Sequence, residues 1–418
     1  MRLLLTIYEM IWFIFASFLI FFPKIRGSWK QRLWIKEKGP FDLWIHGASV
    51  GEAYILLELI SHLREFKIIA TTNTAQGKSI LEKKPYKNVV SRYLPFDFPS
   101  IMKKAISKWK PKLVVILETE LWPGLLYACK SKNVPVIVIN ARLSSKSFNR
   151  YKLFRGILKR LSPDLIYAIS EDDAIRYKEI FGKALVRTMN NIKFDRIKTG
   201  KDIKNPLQDL IPKEKKFIVF GSIRKEEEQD ILYVVQLLVN LLPDTIIGLF
   251  PRHLERVKWW KESLDKRGIK YKLRSEIRYT KKLGHVILWD KIGELENAYS
   301  IADSVFVGGS LRPLGGHNFL EPLSYGIIPH VGPFIENFSW VGEELFKKGL
   351  LIKVRDKKDL AERLIYQCIS PVDKEKVRER FEAFLLNKRG GVKTALKIIL
   401  EYLKEKDKDE RSICLSTL

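Results

Sequence analysis

Seven consecutive residues, His46-Gly47-Ala48-Ser49-Val50-Gly51-Glu52, gather an imidazole, a hydroxyl and a carboxylate. Gly47 to Gly51 formally match the G-x-S-x-G nucleophile elbow of hydrolases. In that case Ser49 attacks, with His253, His285, His317 or His330 as its base. Against this, the segment follows the first strand of the soluble body, and no downstream Asp–His pair stands out. In a second reading the glycines only permit a strand-to-helix turn. Glu52 then stands in the first turn of the helix and takes a proton from a substrate hydroxyl, as general bases must. In a third, Glu52 only complements the positive end of the helix dipole. Residue types and spacing leave all three open.

Other segments narrow the chemistry. Ala75-Gln76-Gly77-Lys78-Ser79 resembles the end of a P-loop, but position 72 is Thr72 where that motif needs glycine. Glu118-Thr119-Glu120-Leu121-Trp122-Pro123 follows a strongly apolar strand, which aims a carboxylate into the ligand cleft of a parallel sheet, or else supplies a helix cap. In the second half, Gly308-Gly309-Ser310 and Gly315-Gly316-His317-Asn318 bracket a loop before a helix that carries Glu321 in its first turns. Backbone N–H groups at such a turn cradle phosphate oxygens, and Glu321 is placed to accept from a ribose diol. Arg252, in Pro251-Arg252-His253, adds a cation for phosphate or carboxylate. The only D-x-D match is Asp407-Lys408-Asp409 in a charged tail, and no His/Cys/Asp cluster has metal-ligand spacing. Metal-independent chemistry without a cofactor is expected.

These residues need elements to hold them. Short Val/Ile-rich runs alternate with amphipathic stretches. Strands are expected at Leu43–His46, Lys67–Thr71, Leu113–Leu117, Val134–Asn140, Leu165–Ile169 and Leu185–Thr188, with helices at Glu52–Leu63, Gly77–Glu82, Trp122–Lys130 and Glu171–Phe181. The pattern repeats at Phe217–Gly221, Thr245–Phe250, Val286–Trp289, Ser304–Val307, Ile327–Val331 and Leu351–Val354, after a polar linker in 195–216. Strands buried on both faces and separated by helices form parallel sheets. The expectation is α/β: two Rossmann-like domains, 25–205 and 206–402, with a cleft between them at the strands' carboxyl ends and a charged, frayed tail over 403–418.

The chain opens on an apolar run. Residues 3–22 approach the ~20 residues that span a bilayer, interrupted by Glu9. Lys24, Arg26, Lys30, Arg32, Lys36 and Lys38 follow, which by the positive-inside tendency keeps the catalytic body cytoplasmic. A single N-terminal anchor over 1–24 is expected, with a helix lying in the interface as the alternative. A net charge of +27 over 418 residues favours a polyanionic partner, here an anionic membrane surface rather than nucleic acid. Cys129, Cys368 and Cys414 are too dispersed for a metal site and read as free thiols.

Taken together and in order, the motifs resemble the 3-deoxy-D-manno-octulosonic acid (Kdo) transferases of lipid A core assembly. The matching pieces are His46–Glu52, Thr71-Thr72-Asn73-Thr74, Pro95-Phe96-Asp97, Glu118–Pro123, Asn140-Ala141-Arg142-Leu143-Ser144, Asn191-Ile192-Lys193-Phe194-Asp195, Gly221-Ser222, Pro251-Arg252-His253, Gly293-Glu294-Leu295 and Gly315–Pro322. The resemblance implies a GT-B glycosyltransferase fold at the inner membrane. It implies inverting transfer of Kdo from CMP-Kdo to a lipid A precursor, lipid IVA. It also implies Glu52 as base, Glu118 and Lys193 as transition-state stabilisers, and contacts to CMP from Pro251, Arg252, Ile292, Gly293, Glu294, Asn318, Phe319, Leu320 and Glu321. One departure is Asn190, where the family usually has glycine, which leaves the backbone before Lys193 open. A membrane-associated serine esterase using Ser49 and a non-catalytic, membrane-tethered binding protein are the competing classes.

Overall fold

The computed structural model describes residues 2–19, 21–83, 86–182, 185–199, 205–212, 214–277 and 285–416. Two compact units divide the chain, the first made of Met1–Asp195 with Lys388–Leu418, the second of Arg196–Asn387.

The first unit is built on seven strands: β1 (Leu43–His46), β2 (Ile68–Thr72), β3 (Val89–Tyr93), β4 (Leu113–Leu117), β5 (Val136–Ala141), β6 (Leu165–Ala168) and β7 (Leu185–Thr188). Their order is β3-β2-β1-β4-β5-β6-β7, and every pairing is parallel. The order reverses between β1 and β4, the place where such sheets bind ligands. Both faces are covered. Trp44 packs edge-on against Trp109 on one face, while Leu43 and Ile45 join Leu56 and Leu59 on the other. Burial on both sides explains why the central strands read as continuous apolar runs.

The second unit repeats this plan with β8 (Lys216–Ile223), β9 (Thr245–Pro251), β10 (Tyr271–Leu273), β11 (Val286–Leu288), β12 (Ser304–Val307), β13 (Pro329–Val331) and β14 (Ile352–Lys353). The order is β10-β11-β9-β8-β12-β13-β14, again parallel, with the reversal between β8 and β12. Two parallel-sheet α/β units are thus as the sequence leads one to expect.

Three expectations change. Among the described residues no helix is long and apolar enough to cross a membrane, so the spanning anchor is withdrawn. The first helix, Arg2–Leu19, has 18 residues and includes Arg2 and Glu9. One side of it lies on the first unit: Trp12 meets Phe96, Phe98 and Trp122, and the Tyr8 hydroxyl donates to Asp97 Oδ2 at 2.7 Å. Next, residues from Lys388 onward rejoin the first unit, although the sequence reading kept them with the second domain as far as 402. The cause is apolar: Ala395, Ile398, Ile399 and Leu403 share a core with Leu56, Leu59 and Ile60. Finally, the helix Gly391–Ser416 carries helical backbone into the tail expected to fray.

Candidate functional site

In the first unit, β1 ends at His46 and the helix Val50–Ser61 starts within four residues. Ser49 caps this helix in an extended conformation (φ −99°, ψ 172°), its hydroxyl accepting the Glu52 N–H. The same hydroxyl donates to Glu52 Oε1 at 2.7 Å, and the Ala48 N–H donates to Oε2 at 2.7 Å. This differs from a capping box in that the glutamate reaches the N–H of Ala48, one residue before the cap, and the two bonds fix the rotamer of the carboxylate. Glu52 is 6% exposed. Burial, then the charge of Glu118, push its pKa up to about 7, against the hydrogen bonds from Ser49 and Ala48. The same side chain that engages the start of the helix thus has the burial and raised pKa that a general base needs. The elbow reading has no support: an elbow holds its serine in a strained turn, whereas Ser49 is an extended N-cap bonded to Glu52.

His46 is neutral. Burial lowers its pKa to about 3. Its Nδ1 lies 3.1 Å from the Thr71 carbonyl and 3.0 Å from the Thr71 hydroxyl. Thr71 also accepts from Trp44 Nε1 at 2.8 Å, and Thr72 Oγ1 donates to the Ala48 carbonyl at 3.1 Å. Strand β2 thus pins the loop that leads to Glu52.

Glu118 lies just beyond β4, directly across the point of reversal, and Lys193 Nζ sits 2.6 Å from its Oε1. Glu118 adopts φ 58° and the buried Asn140, in β5, φ 57°. Such left-handed backbone costs a non-glycine residue about 1–2 kcal/mol, and strain of this kind concentrates at functional sites. Asn140 Oδ1 accepts from the Ile192 N–H at 2.9 Å, and Asn191 Oδ1 from the Lys193 N–H at 3.0 Å. Together they place the short turn Ile192–Phe194 that presents Lys193. Asn190 is not among the positive-φ residues, and its Nδ2 donates to the Arg389 carbonyl at 2.7 Å, so its replacement of glycine leaves this turn undisturbed.

In the second unit, Pro251 ends β9 and the Arg252 N–H donates to the Ile223 carbonyl at 2.8 Å, which sets Arg252 beside Arg224. His317 lies over Gly309 (φ 71°), where a Cβ would come within 2.8 Å of its ring. Burial first, then Arg252, Arg224 and His253, bring the His317 pKa down to about 4. A cationic cluster therefore gathers past the ends of β8 and β9. Glu321 accepts from Asn318 Nδ2 at 2.9 Å, and burial raises its pKa.

The predicted donor contacts are not equivalent. Glu294 is held by Arg274 at 2.7 and 3.2 Å and by Trp289 Nε1 at 2.8 Å, so its carboxylate is already engaged. Ile292 is 85% exposed and precedes Gly293 (φ 96°), leaving an open loop with accessible backbone. Phe319 and Leu320 are buried, so only their backbone can meet a ligand. The helix there, Leu320–Ser324, has five residues, too few for a substantial dipole.

One motif expectation is corrected. The N–H groups of Gly309, Ser310 and Leu311 do form an anion cradle, but Glu227 occupies it, at 2.6, 2.9 and 2.8 Å. The phosphate-like charge in this loop is the protein's own. Sequence reasoning gave no role to Glu227 or Arg224. Three consecutive acids, Glu226 to Glu228, just after a strand were the available signal for the first. Among the described residues no group of three or more His, Cys, Asp or Glu could hold a metal ion.

The family described as 3-deoxy-D-manno-octulosonic-acid transferase (kdotransferase) matches residues 27–196. The 3-deoxy-D-manno-octulosonic acid transferase of Rickettsia bellii is 30% identical over 414 residues, 96% of each chain. That of Aquifex aeolicus is 30% identical over 339 residues, 81% of this chain and 89% of the relative. A glycosyltransferase from Rickettsia africae superposes with a TM-score of 0.59 at 15% identity, covering 89% of this chain and all of the other. A UDP-GlcNAc 2-epimerase from Neisseria meningitidis gives 0.53 at 16% identity, covering 87% and 99%. These two likenesses show the fold alone.

Proposed function

The chain belongs to the 3-deoxy-D-manno-octulosonic acid transferases and is a glycosyltransferase, and from that premise we propose that it transfers Kdo from CMP-Kdo to lipid IVA with inversion and without a metal. Glu52 is the base. It takes the proton of the acceptor hydroxyl as that oxygen bonds to the anomeric carbon of Kdo. The bond from that carbon to the CMP phosphate oxygen breaks, and CMP leaves with the electron pair. An acceptor attacking from the side opposite CMP inverts the centre. The sugar passes through an oxocarbenium-like state. The Lys193–Glu118 pair beside the base offsets charge as it shifts. Arg252 and its cationic neighbours take the phosphate, while Asn318 and Glu321 face the ribose. Those fixed cations supply the positive charge that a metal would otherwise bring, and undiminished turnover in chelator is the expected result.

The observation that carries this reading is a buried carboxylate with a pKa near 7 at the point where the strand order reverses. Glu52→Gln tests it. The amide oxygen can accept the Ala48 N–H and its NH₂ can donate to Ser49, so the loop is kept while the base is lost. Transfer from CMP-Kdo to lipid IVA should fall by about 10²-fold or more, with CMP binding unchanged. Near-normal transfer would sink the assignment.

The place of action is the cytoplasmic face of the inner membrane. The N-terminal helix keeps Met10, Ile11, Phe13, Ile14 and Phe18 more than half exposed, and Phe21 and Phe22 beyond it are also bare. An apolar hollow of 520 Å³ lies beside them, lined by Met10, Phe13, Trp29, Leu33, Phe98 and Ile101. Such a face suits a helix lying in the lipid interface, close to a lipid acceptor.

A further inference from the structure

Arg32 was counted above among the basic residues flanking the apolar run, yet it is only 7% exposed. Its guanidinium makes four hydrogen bonds, and none of the acceptors carries a charge. Nε donates to Ser28 Oγ at 3.0 Å, Nη1 to the Leu94 carbonyl at 2.9 Å and to Asn73 Oδ1 at 3.4 Å, and Nη2 to the Asn73 carbonyl at 2.6 Å. Its faces lie 4.9 Å from the Tyr93 ring and 5.8 Å from that of Phe96. Burying a cation without a counter-ion is unfavourable, and a simple surface tether does not require it. The guanidinium fork instead grips one residue, Asn73, from two sides.

Asn73 passes that constraint on. Its N–H donates to the Ala48 carbonyl at 3.2 Å, and its Nδ2 to Glu120 Oε2 at 3.4 Å. Ala48 in turn gives its own N–H to Glu52 Oε2 at 2.7 Å. An unbroken run of hydrogen bonds thus leads from the N-terminal segment to the base. We propose that Arg32 is a positioning residue for Glu52, acting through Asn73 and Ala48, so that the segment before the first strand completes the reaction centre as well as meeting the membrane. The proposal rests on the assignment of Glu52 as base.

Arg32→Lys keeps the charge and removes the fork. A loosened Ala48 amide gives Glu52 a weaker hydrogen bond, and that bond is one of the interactions holding its pKa down. In full-length protein in detergent, kcat for Kdo transfer should fall by about tenfold or more. The acidic limb of the pH–rate profile should move to higher pH by about half a unit, with KM for CMP-Kdo unchanged. Ser28→Ala, which removes only the acceptor of Nε, should move the limb in the same direction by less. A structural role alone lowers activity in step with the folded fraction and leaves the limb in place; that result, in whichever variant folds, overturns the proposal. Failure of the wild-type chain to transfer Kdo would instead remove the underlying assignment.

Discussion

A carboxylate that must accept a proton from a hydroxyl works best when its pKa lies near the working pH. Glu52 reaches that condition through burial and the neighbouring charge of Glu118, opposed by two hydrogen bonds. Below pH 7 the base is protonated and idle, so turnover should rise as pH passes through about 7. Glu118→Gln removes the second cause of the upward shift, the negative charge of Glu118, and so favours ionised Glu52. The limb should then move to lower pH even as turnover drops, which a pH series of kcat/KM would check. The same shift acts on folding. A carboxyl whose pKa rises from 4.5 to about 7 on folding withdraws stability as pH climbs through that window. The loss is on the order of 2–3 kcal/mol, and Glu52→Gln should abolish it in melting curves at pH 5 and pH 8. Sequence spacing reached Glu52 but set cap and base against each other. It could not show that one carboxylate has the geometry for both, because Ser49 and Ala48 acquire their roles only when the loop closes over β2.

Among the elements, the central strands were legible because burial on both faces demands uninterrupted apolar residues. The unanticipated strands were β3 and β10, each at a sheet edge and each half-buried throughout. With only one neighbour and partial exposure, Val89-Val90-Ser91-Arg92-Tyr93 has no pattern that separates it from a loop. The glycine loop after β12 was legible as an anion cradle but not as a filled one, since Glu227 lies about eighty positions away in sequence and meets it only in the fold. Its consequence can be measured. Glu227→Gln keeps one accepting oxygen and turns an NH₂ toward donors, at a cost of about 1–3 kcal/mol. The loop that carries His317 should loosen, and calorimetry should find CMP binding weakened by about tenfold or more. Unchanged affinity would mean that the loop holds its shape without the carboxylate.

For the molecule as a whole, charge and apolar exposure act together. A surplus of +27 and a bare aromatic face on the first helix should drive binding to anionic vesicles. Raising salt from about 0.1 to about 1 M shrinks the screening length from ~10 to ~3 Å. Cosedimentation with such vesicles should weaken markedly while the apolar contribution leaves a salt-resistant remainder; equal binding to neutral vesicles would argue against any role for the charge. The return of the chain to the first unit at Lys388 bears on the order of its synthesis. The second unit is one continuous insertion and can complete its core while the chain is still emerging from the ribosome. The first unit, though begun earlier, stays open on one face until Ala395, Ile398, Ile399 and Leu403 have been made. The part of the protein translated first is therefore among the last to close, and a chain cut short near residue 387 would carry a finished second unit beside a first unit exposing its core.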